Sequence, residues 1–423
     1  MKKYDEYKDS GVAWIGEVPK HWEVLRGKYV LNILSGFPFD SQKFEFEDNG
    51  VYMPLIRIRD INGSSTEVYY SGSYPIESVV KTGEVLIGMD GDFNISKWKG
   101  TNALLNQRVC KLREDSSMNT HYAFYMLSSP LKAINSVTYA TTVKHLSVYD
   151  IYNAFIPVPP ISEQAAIATY LDTHCAKIDN LISIQQKRIA LLQELKQSVI
   201  THAVTKGLNP NVEMKQSGVE WIGDVPKHWE VMPLKFTGTF GNGLTYSPKD
   251  VVDNGILVLR SSNIQNSSLS FEDNVYVSKV SRDLLVKKGD IIICSRNGSA
   301  ALVGKSAFVD KELNATFGAF MMRYIPNIEK KYGFYLFQTA IGQYKGYFST
   351  TTINQLTKTT IDDIKIPLAM AEEQAAIASY LDHKCATIDT SISNAQHQID
   401  LLQEYKQSLI TEVVTGKRKV TDN

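Results

Sequence analysis

Two stretches of this chain place apolar residues in alternating steps of four and three. That spacing keeps one stripe of a helix facing a partner helix. The first stripe runs Leu171, Cys175, Ile178, Ile182, Gln185, Ile189, Leu192, Lys196 and Val199. The second runs Leu381, Cys385, Ile388, Ile392, Ala395, Ile399, Leu402, Lys406 and Leu409. Ahead of the first, "PVPPISEQ" halts a preceding strand and offers Ser162 as an N-cap. It also puts Glu163 in the first turn, where an acid suits the positive end of the helix dipole. "VTKGLNP" then closes the helix with a basic residue, Gly and Pro in the usual order. About 43 helical residues, each rising ~1.5 Å, would give a rod of roughly 60 Å. Two rods with matching stripes most simply pack on each other, antiparallel if a pseudo-two-fold relates them. Cys175 and Cys385 then read as small stripe residues and not as a disulfide pair.

Before each rod the pattern shortens to β-rich runs broken by Gly, Asn and Asp. These are "VYMPLIRIRDI", "GEVLIGM" and "RVCKL", then "ILVLRSSNI", "GDIIICS" and "GAFMMRYI". "HYAFYMLSSPLKAI" and "YGFYLFQTAIGQY" read as single short helices late in each region.

The two halves are copies. Residues 8–24, which include "GVAWIGEVPKHWEV", match 215–231, which include "GVEWIGDVPKHWEV", at 14 of 17 positions. Residues 163–205 match 373–415 at 28 of 43, while the stretches between these blocks share only fragments. The chain is thus frame, insert, frame, insert, with near-identical frames and divergent inserts. Identical frames suit pairing with each other or with two copies of one partner; divergent inserts suit two different targets. The expected class is α+β: two mixed α/β domains joined by two long antiparallel coiled-coil helices in a pseudo-two-fold internal repeat. The expected segments are 1–159 (first domain with its frame segment), 160–206 (first helix), 207–369 (second domain with the repeated frame), 370–415 (second helix) and 416–423 (tail).

A length of 423 residues exceeds one ordinary core, and 43% hydrophobic residues supply ample interior. Charge balances at 45 basic against 45 acidic residues, so no acidic partner is signalled globally. The second insert, between Met232 and Ile366, nevertheless carries 16 Lys/Arg against 11 Asp/Glu. No apolar run follows the charged N-terminus and none reaches membrane-spanning length. Four cysteines without CxxC spacing fit a reduced setting, so a cytoplasmic location is expected.

Catalytic motifs are hinted at and then fail. "SAALVGKS" lacks the first glycine of a phosphate-binding loop, and its apolar fill suits a strand. "ELK" and "EYK" imitate half a nuclease site, but Lys196 and Lys406 fall on the helix stripe. Asp90 and Asp92 in "MDGDFN" have no third metal ligand at a calcium-loop spacing and read as a turn. The histidines form no metal pair; His21 and His228 sit beside Trp14, Trp22, Trp221 and Trp229 in what reads as aromatic packing.

The duplicated "SGVxWIGxVPKHWEV", with "IPVPPISEQAAIATYLD" and "IPLAMAEEQAAIASYLD", strongly resembles the specificity subunit of type I restriction-modification systems. The likeness covers the whole chain; the one departure is "PLAMAEEQ", which lacks the second proline pair. The resemblance implies that each insert is a target-recognition domain reading one half of a bipartite DNA site. The helices would set the gap, and the frame would dock two methyltransferase subunits, joined by motor/nuclease subunits. It implies no cofactor in this chain; S-adenosylmethionine, ATP and Mg2+ would serve the partners.

Base readout needs Arg, Lys, Asn or Gln on loops, with further basic and hydroxyl groups on phosphates. In the first insert the candidates are Arg57, Arg59, Asn62, Lys97, Lys99, Thr141, Thr142, Lys144 and His145. In the second they are Arg260, Asn263, Arg296, Asn297, Lys305, Thr351, Asn354 and Gln355. The alternative is a non-catalytic scaffold whose inserts bind two proteins or glycans, which the near-zero net charge slightly favours.

Overall fold

The structure is a computed structural model and describes residues 3–138, 144–344 and 354–420, with the side chain of 354 excluded. Thr141, Thr142 and Thr351 lie outside the described residues. The chain divides into two compact units, Met1–Gln185 with His397–Asn423, and Gln186–Gln396.

Six helices are used below: α1 (Thr120–Val137), α2 (Val148–Asn153), α3 (Ile161–Lys206), α4 (Lys330–Tyr344), α5 (Lys358–Asp362) and α6 (Ala371–Val414). The long pair, α3 and α6, has 46 and 44 residues and carries the predicted stripes. Every stripe residue is buried or half-buried. In the first unit Leu171, Cys175 and Ile178 of α3 share a core with Leu409, Ile410, Val413 and Val414 of α6. In the second, Leu381 and Cys385 of α6 share a core with Ile200, Ala203 and Val204 of α3. Early residues of one helix therefore meet late residues of the other, which is antiparallel packing. The lysines at the stripe positions lay their stems along the apolar seam and reach across it. Lys406 Nζ lies 2.6 Å from Asp179, and Lys196 Nζ 2.7 Å from Asp389.

The start of α3 differs from expectation. Ser162 lies inside the first turn and caps nothing; the Pro160 carbonyl accepts the first helical N–H groups, from Glu163 and Gln164. Instead of a side-chain cap, a glutamine in the same turn ties the helix start to its surroundings. Gln164 Nε2 donates to the Pro159 carbonyl at 2.9 Å, and its Oε1 accepts from the Asn119 N–H that precedes α1. Gln374 does the same with Ala369 and Glu329, so the missing proline pair leaves the start of α6 unchanged. The first helix ends as predicted, on Gly207 in the left-handed region (φ +76°), and the second ends the same way on Gly416 (φ +73°).

Each insert leaves and rejoins its frame at one clasp. Strand Glu23–Arg26 pairs antiparallel with Phe155–Val158, and Glu230–Pro233 with Lys365–Leu368. Between clasp strands lies an antiparallel four-stranded sheet. In the first unit its order is Ile95–Lys97, Val85–Gly88, Val109–Arg113 and Asn32–Ser35. In the second it is Ser306–Phe308, Ile291–Cys294, Met321–Pro326 and Gly238–Asn242. A second, mixed sheet stands beside each; strand Ala103–Leu105 runs parallel to Met53–Ile56, and Ala315–Phe317 parallel to Ile256–Leu259. The predicted short helices are α1 and α4; α2 and α5 add a second helix to each insert that the pattern does not show.

Two local readings are corrected. "RIRDI" leaves the strand at Ile56 and turns, because the Asp60 carboxylate accepts the Arg57 N–H at 2.9 Å. The apolar fill of "SAALVGKS" is a 3-10 turn at Ala300–Leu302 and not a strand, following a turn in which Asn297 Oδ1 accepts from the Ser299 N–H. No described helix is long and apolar enough to cross a membrane.

Gly416 gives a direct test of how the tail closes on the first frame. A Cβ there would stand 2.2 Å from Pro19 Cδ, whereas Gly50, at a similar φ of +69°, faces open space. Both Gly→Ala changes carry the left-handed penalty of about 1 kcal/mol. Gly416→Ala should lose about 1–3 kcal/mol more through overpacking, read as a lower thermal midpoint than that of Gly50→Ala.

Candidate nucleic-acid interface

In each unit one carboxylate ties the frame to itself and a second holds the insert on it. In the first, Glu163 in the opening turn of α3 accepts Trp22 Nε1 at 3.1 Å, lies 3.0 Å from His21 Nε2 and also accepts the Tyr4 hydroxyl. In the second, Glu373 accepts Trp229 Nε1 at 2.8 Å and lies 2.9 Å from His228 Nε2. Partial burial would raise the Glu373 pKa, but hydrogen bonds from His228 and Trp229 outweigh it and hold it low. The frame aromatics are therefore packing, as expected, but packing organised around an acid.

About two and a half turns further along α3, Asp172 accepts the Tyr125 hydroxyl and Lys97 Nζ, each at 2.6 Å, with His121 Nδ1 at 3.3 Å. Asp382 likewise takes the Tyr335 hydroxyl at 2.7 Å and Lys331 Nζ at 3.3 Å. These bonds fasten α1 to α3 and α4 to α6. Lys97, a DNA candidate by sequence, is thereby directed to the helix; its ammonium also lies over the Phe124 and Tyr125 rings.

The candidates that the structure does bring together stand at one strand end of each four-stranded sheet. In the second unit, Arg296 and Asn297 form a short ladder with Asn354 and Gln355. Arg296 Nη2 donates to Gln355 Oε1 at 2.6 Å, and its guanidinium lies 5.8 Å from the centre of the exposed Phe320 ring. Asn297 Nδ2 reaches Ser261 Oγ at 3.4 Å. In the first unit the corresponding bridge joins Asp90 to His145. His145 Nδ1 lies 2.6 Å from Asp90 Oδ1, and Arg108 Nε 3.6 Å from Asp90 Oδ2.

The strand registers make these loci equivalent. Gly88 pairs with Val109 as Cys294 pairs with Met321, so two residues beyond the first partner are Asp90 and Arg296. One residue before the second partner are Arg108 and Phe320. The N–H of Met89 bonds the Arg108 carbonyl and that of Ser295 the Phe320 carbonyl, both at 3.0 Å. The Leu146 and Leu356 N–H groups close the third side, on Met89 and Ser295, both at 2.7 Å. One backbone frame thus displays Asp90, Arg108 and His145 in one unit and Arg296, Phe320 and Gln355 in the other.

The remaining candidates are dispersed. Arg57 is held by Asp60 (3.3 Å) and Glu67 (2.9 Å), and Arg59 lies 3.9 Å from Glu67. Asn62 and Lys99 are exposed, and Lys305 is half-buried. Lys144 Nζ donates back to the Asn135 carbonyl at 2.6 Å. Arg260 is paired with Asp273 at 2.8 Å. Asn263 is fully buried, with its amide on the Ser270 and Asp273 carbonyls, so it shapes the turn that holds Arg260 and does not face solvent. Asp90 sits in the expected turn as an ion-pair partner, and among the described residues no acidic, Cys or His cluster could hold a metal. Arg108 and Phe320 are not among the sequence candidates; both fall inside predicted β-rich runs, "RVCKL" and "GAFMMRYI", and immediately precede the observed strands, but their equivalence exists only in the register.

A family model for the type I restriction modification DNA specificity domain matches the chain twice, at residues 19–194 and 226–399. The chain belongs to this family. It is 28% identical to the EcoBI specificity subunit of Escherichia coli, across 94% of this chain and 86% of that protein. It is 27% identical to the MjaVIII specificity subunit of Methanocaldococcus jannaschii, across 95% and 94%. A solved chain from work on assembly and conformational transition of the type I R-M system shares the fold, with a TM-score of 0.70 at 17% identity, covering 94% of this chain and 98% of that one. Each family match in this chain spans one clasp, one insert and part of one long helix.

The Asp172 contact has a pH signature. Burial acts to raise its pKa, but the bonds from Lys97, Tyr125 and His121 dominate and hold it below the ordinary carboxylate value. A folded pKa below the unfolded one stabilises at neutral pH, and that stability is lost as pH falls through the folded value. Asp172→Asn should therefore melt below wild type at pH 7, with the gap narrowing once pH drops under about 4. A gap that stays constant across a pH series of thermal melts would refute the assignment.

Proposed function

We propose that this chain is the DNA-reading specificity subunit of a type I restriction-modification complex. Each insert reads one half of a bipartite site, and the long helices, which run through both compact units, set the gap between halves. The duplicated frames dock two copies of a methyltransferase subunit, and motor/nuclease subunits complete the assembly. Catalysis lies in those partners, with S-adenosylmethionine, ATP and Mg2+ bound there. The cytoplasm is the matching location.

The observation that carries this reading is the pair of strand-end loci. Their strand registers and backbone hydrogen bonds correspond while all three side chains differ, as two unlike half-sites require. The near-identical hubs at Glu163 and Glu373 support two copies of one partner in the same way. The scaffold alternative is not favoured, since both family matches run through the inserts.

The test is to co-express the chain with its methyltransferase subunit and map methylated adenines across the host genome. A bipartite motif with one fixed gap is expected. Binding of the complex to that duplex should weaken steeply with added salt, as counterion release demands. Methylation without any sequence motif, or affinity indifferent to salt, would overturn the reading.

A further inference from the structure

We infer that the two strand-end triads are the base-reading elements, with Arg108 in the first unit and Arg296 in the second each recognising a guanine. The inference rests on the function proposed above.

An arginine reads guanine when its planar fork meets the O6 and N7 acceptors together, so the plane must be fixed before contact. Both triads supply that fixation. Arg108 is steadied by Asp90, which also takes His145; the Arg108 and His145 side chains are about half exposed, 54% and 56%, while Asp90 is at 24%. The carboxylate thus sits behind two forward-facing groups. Arg296 is steadied on one side by Gln355 Oε1 and on its face by the Phe320 ring, itself 61% exposed. Asp90, Gln355 and Phe320 are positioning residues in this scheme; Arg108, Arg296 and His145 meet the DNA.

The arginine occupies a different corner of the frame in each unit. In the first it precedes strand Val109–Arg113; in the second it follows strand Ile291–Cys294, and Phe320 takes the position Arg108 holds. The two guanines therefore fall at different places within their half-sites, and the motif is asymmetric. Arg57, Lys97 and Arg260 are less suited: each is also held by an acid, but their side chains are only 22%, 21% and 31% exposed, against 54% for Arg108.

The experiment is the methylation map of the complex with its methyltransferase subunit, for wild type, Arg108→Gln, Arg296→Gln and Asp90→Asn. Arg108→Gln should relax one G·C position in one half of the motif, by about tenfold or more in discrimination. Arg296→Gln should relax one G·C position in the other half. The gap should stay unchanged in both. Asp90→Asn should relax the same position as Arg108→Gln, whereas a merely structural role would lower the melting temperature and leave the motif intact. An unchanged motif, a uniform loss at all sites as for a phosphate contact, or two changes in one half would overturn the inference and leave the bipartite reading standing. A wild-type complex with no bipartite motif would bring down the proposed function and this inference with it.

Discussion

Neither unit completes its core with neighbouring sequence. The first needs Leu409, Ile410, Val413 and Val414 from the far end of the chain; the second needs Ile200, Ala203 and Val204 to cover Leu381 and Cys385. Antiparallel pairing of α3 with α6 is thus a condition for both inserts to have an interior. Each of those helices is shared, one half to each unit. A substitution on the seam is felt in a core and in the placement of a reader, which is why the seam and its aspartate–lysine bridges are the repeated part of the sequence.

The aspartates and glutamines of the frame turn that seam into a platform. Gln164 and Gln374 anchor the start of a long helix and at the same time bind the backbone just ahead of α1 and α4. Asp172 and Asp382 then take a tyrosine from the same short helix. The insert is fastened along one helix and clasped by one strand pair, so its strand ends can change without disturbing the attachment. Divergent reading chemistry on a fixed backbone follows from that separation.

Much of this was legible in sequence because helical stripes and repeats are local signals. The steps of four and three located the seam up to Val199 and Leu409, though not Ile200, Ala203, Val204, Ile410, Val413 and Val414 beyond them, and Gly207 marked its helix end. Ser162 misled because a serine in the right place is only one way to begin a helix; here the Pro160 carbonyl takes the first helical N–H groups, and Gln164 anchors that turn to Asn119, 45 residues away. The strand-end loci were only half visible. His145, Arg296 and Gln355 drew notice as residue types, but Arg108 and Phe320 gain meaning only from pairings whose spacing shifts along the insert. Asp90 lies 206 residues before its counterpart, Arg108 lies 212 before, and His145 210 before, so no fixed offset aligns them. Asn263 was picked for the same reason as Asn297, its residue type, and burial separates the two.

Neutral overall charge, which first argued against a nucleic-acid partner, takes a different meaning once the pairs are known. Arg57, Lys97, Arg108 and Arg260 each face an acid within their own unit. A cation already paired releases fewer counterions on meeting phosphate, so such a surface gains little sequence-independent affinity. What these pairs do is hold polar groups in set orientations, which serves discrimination between bases more than general attraction. Such pairs weigh this chain's own contribution toward the choice of site rather than general affinity for the duplex.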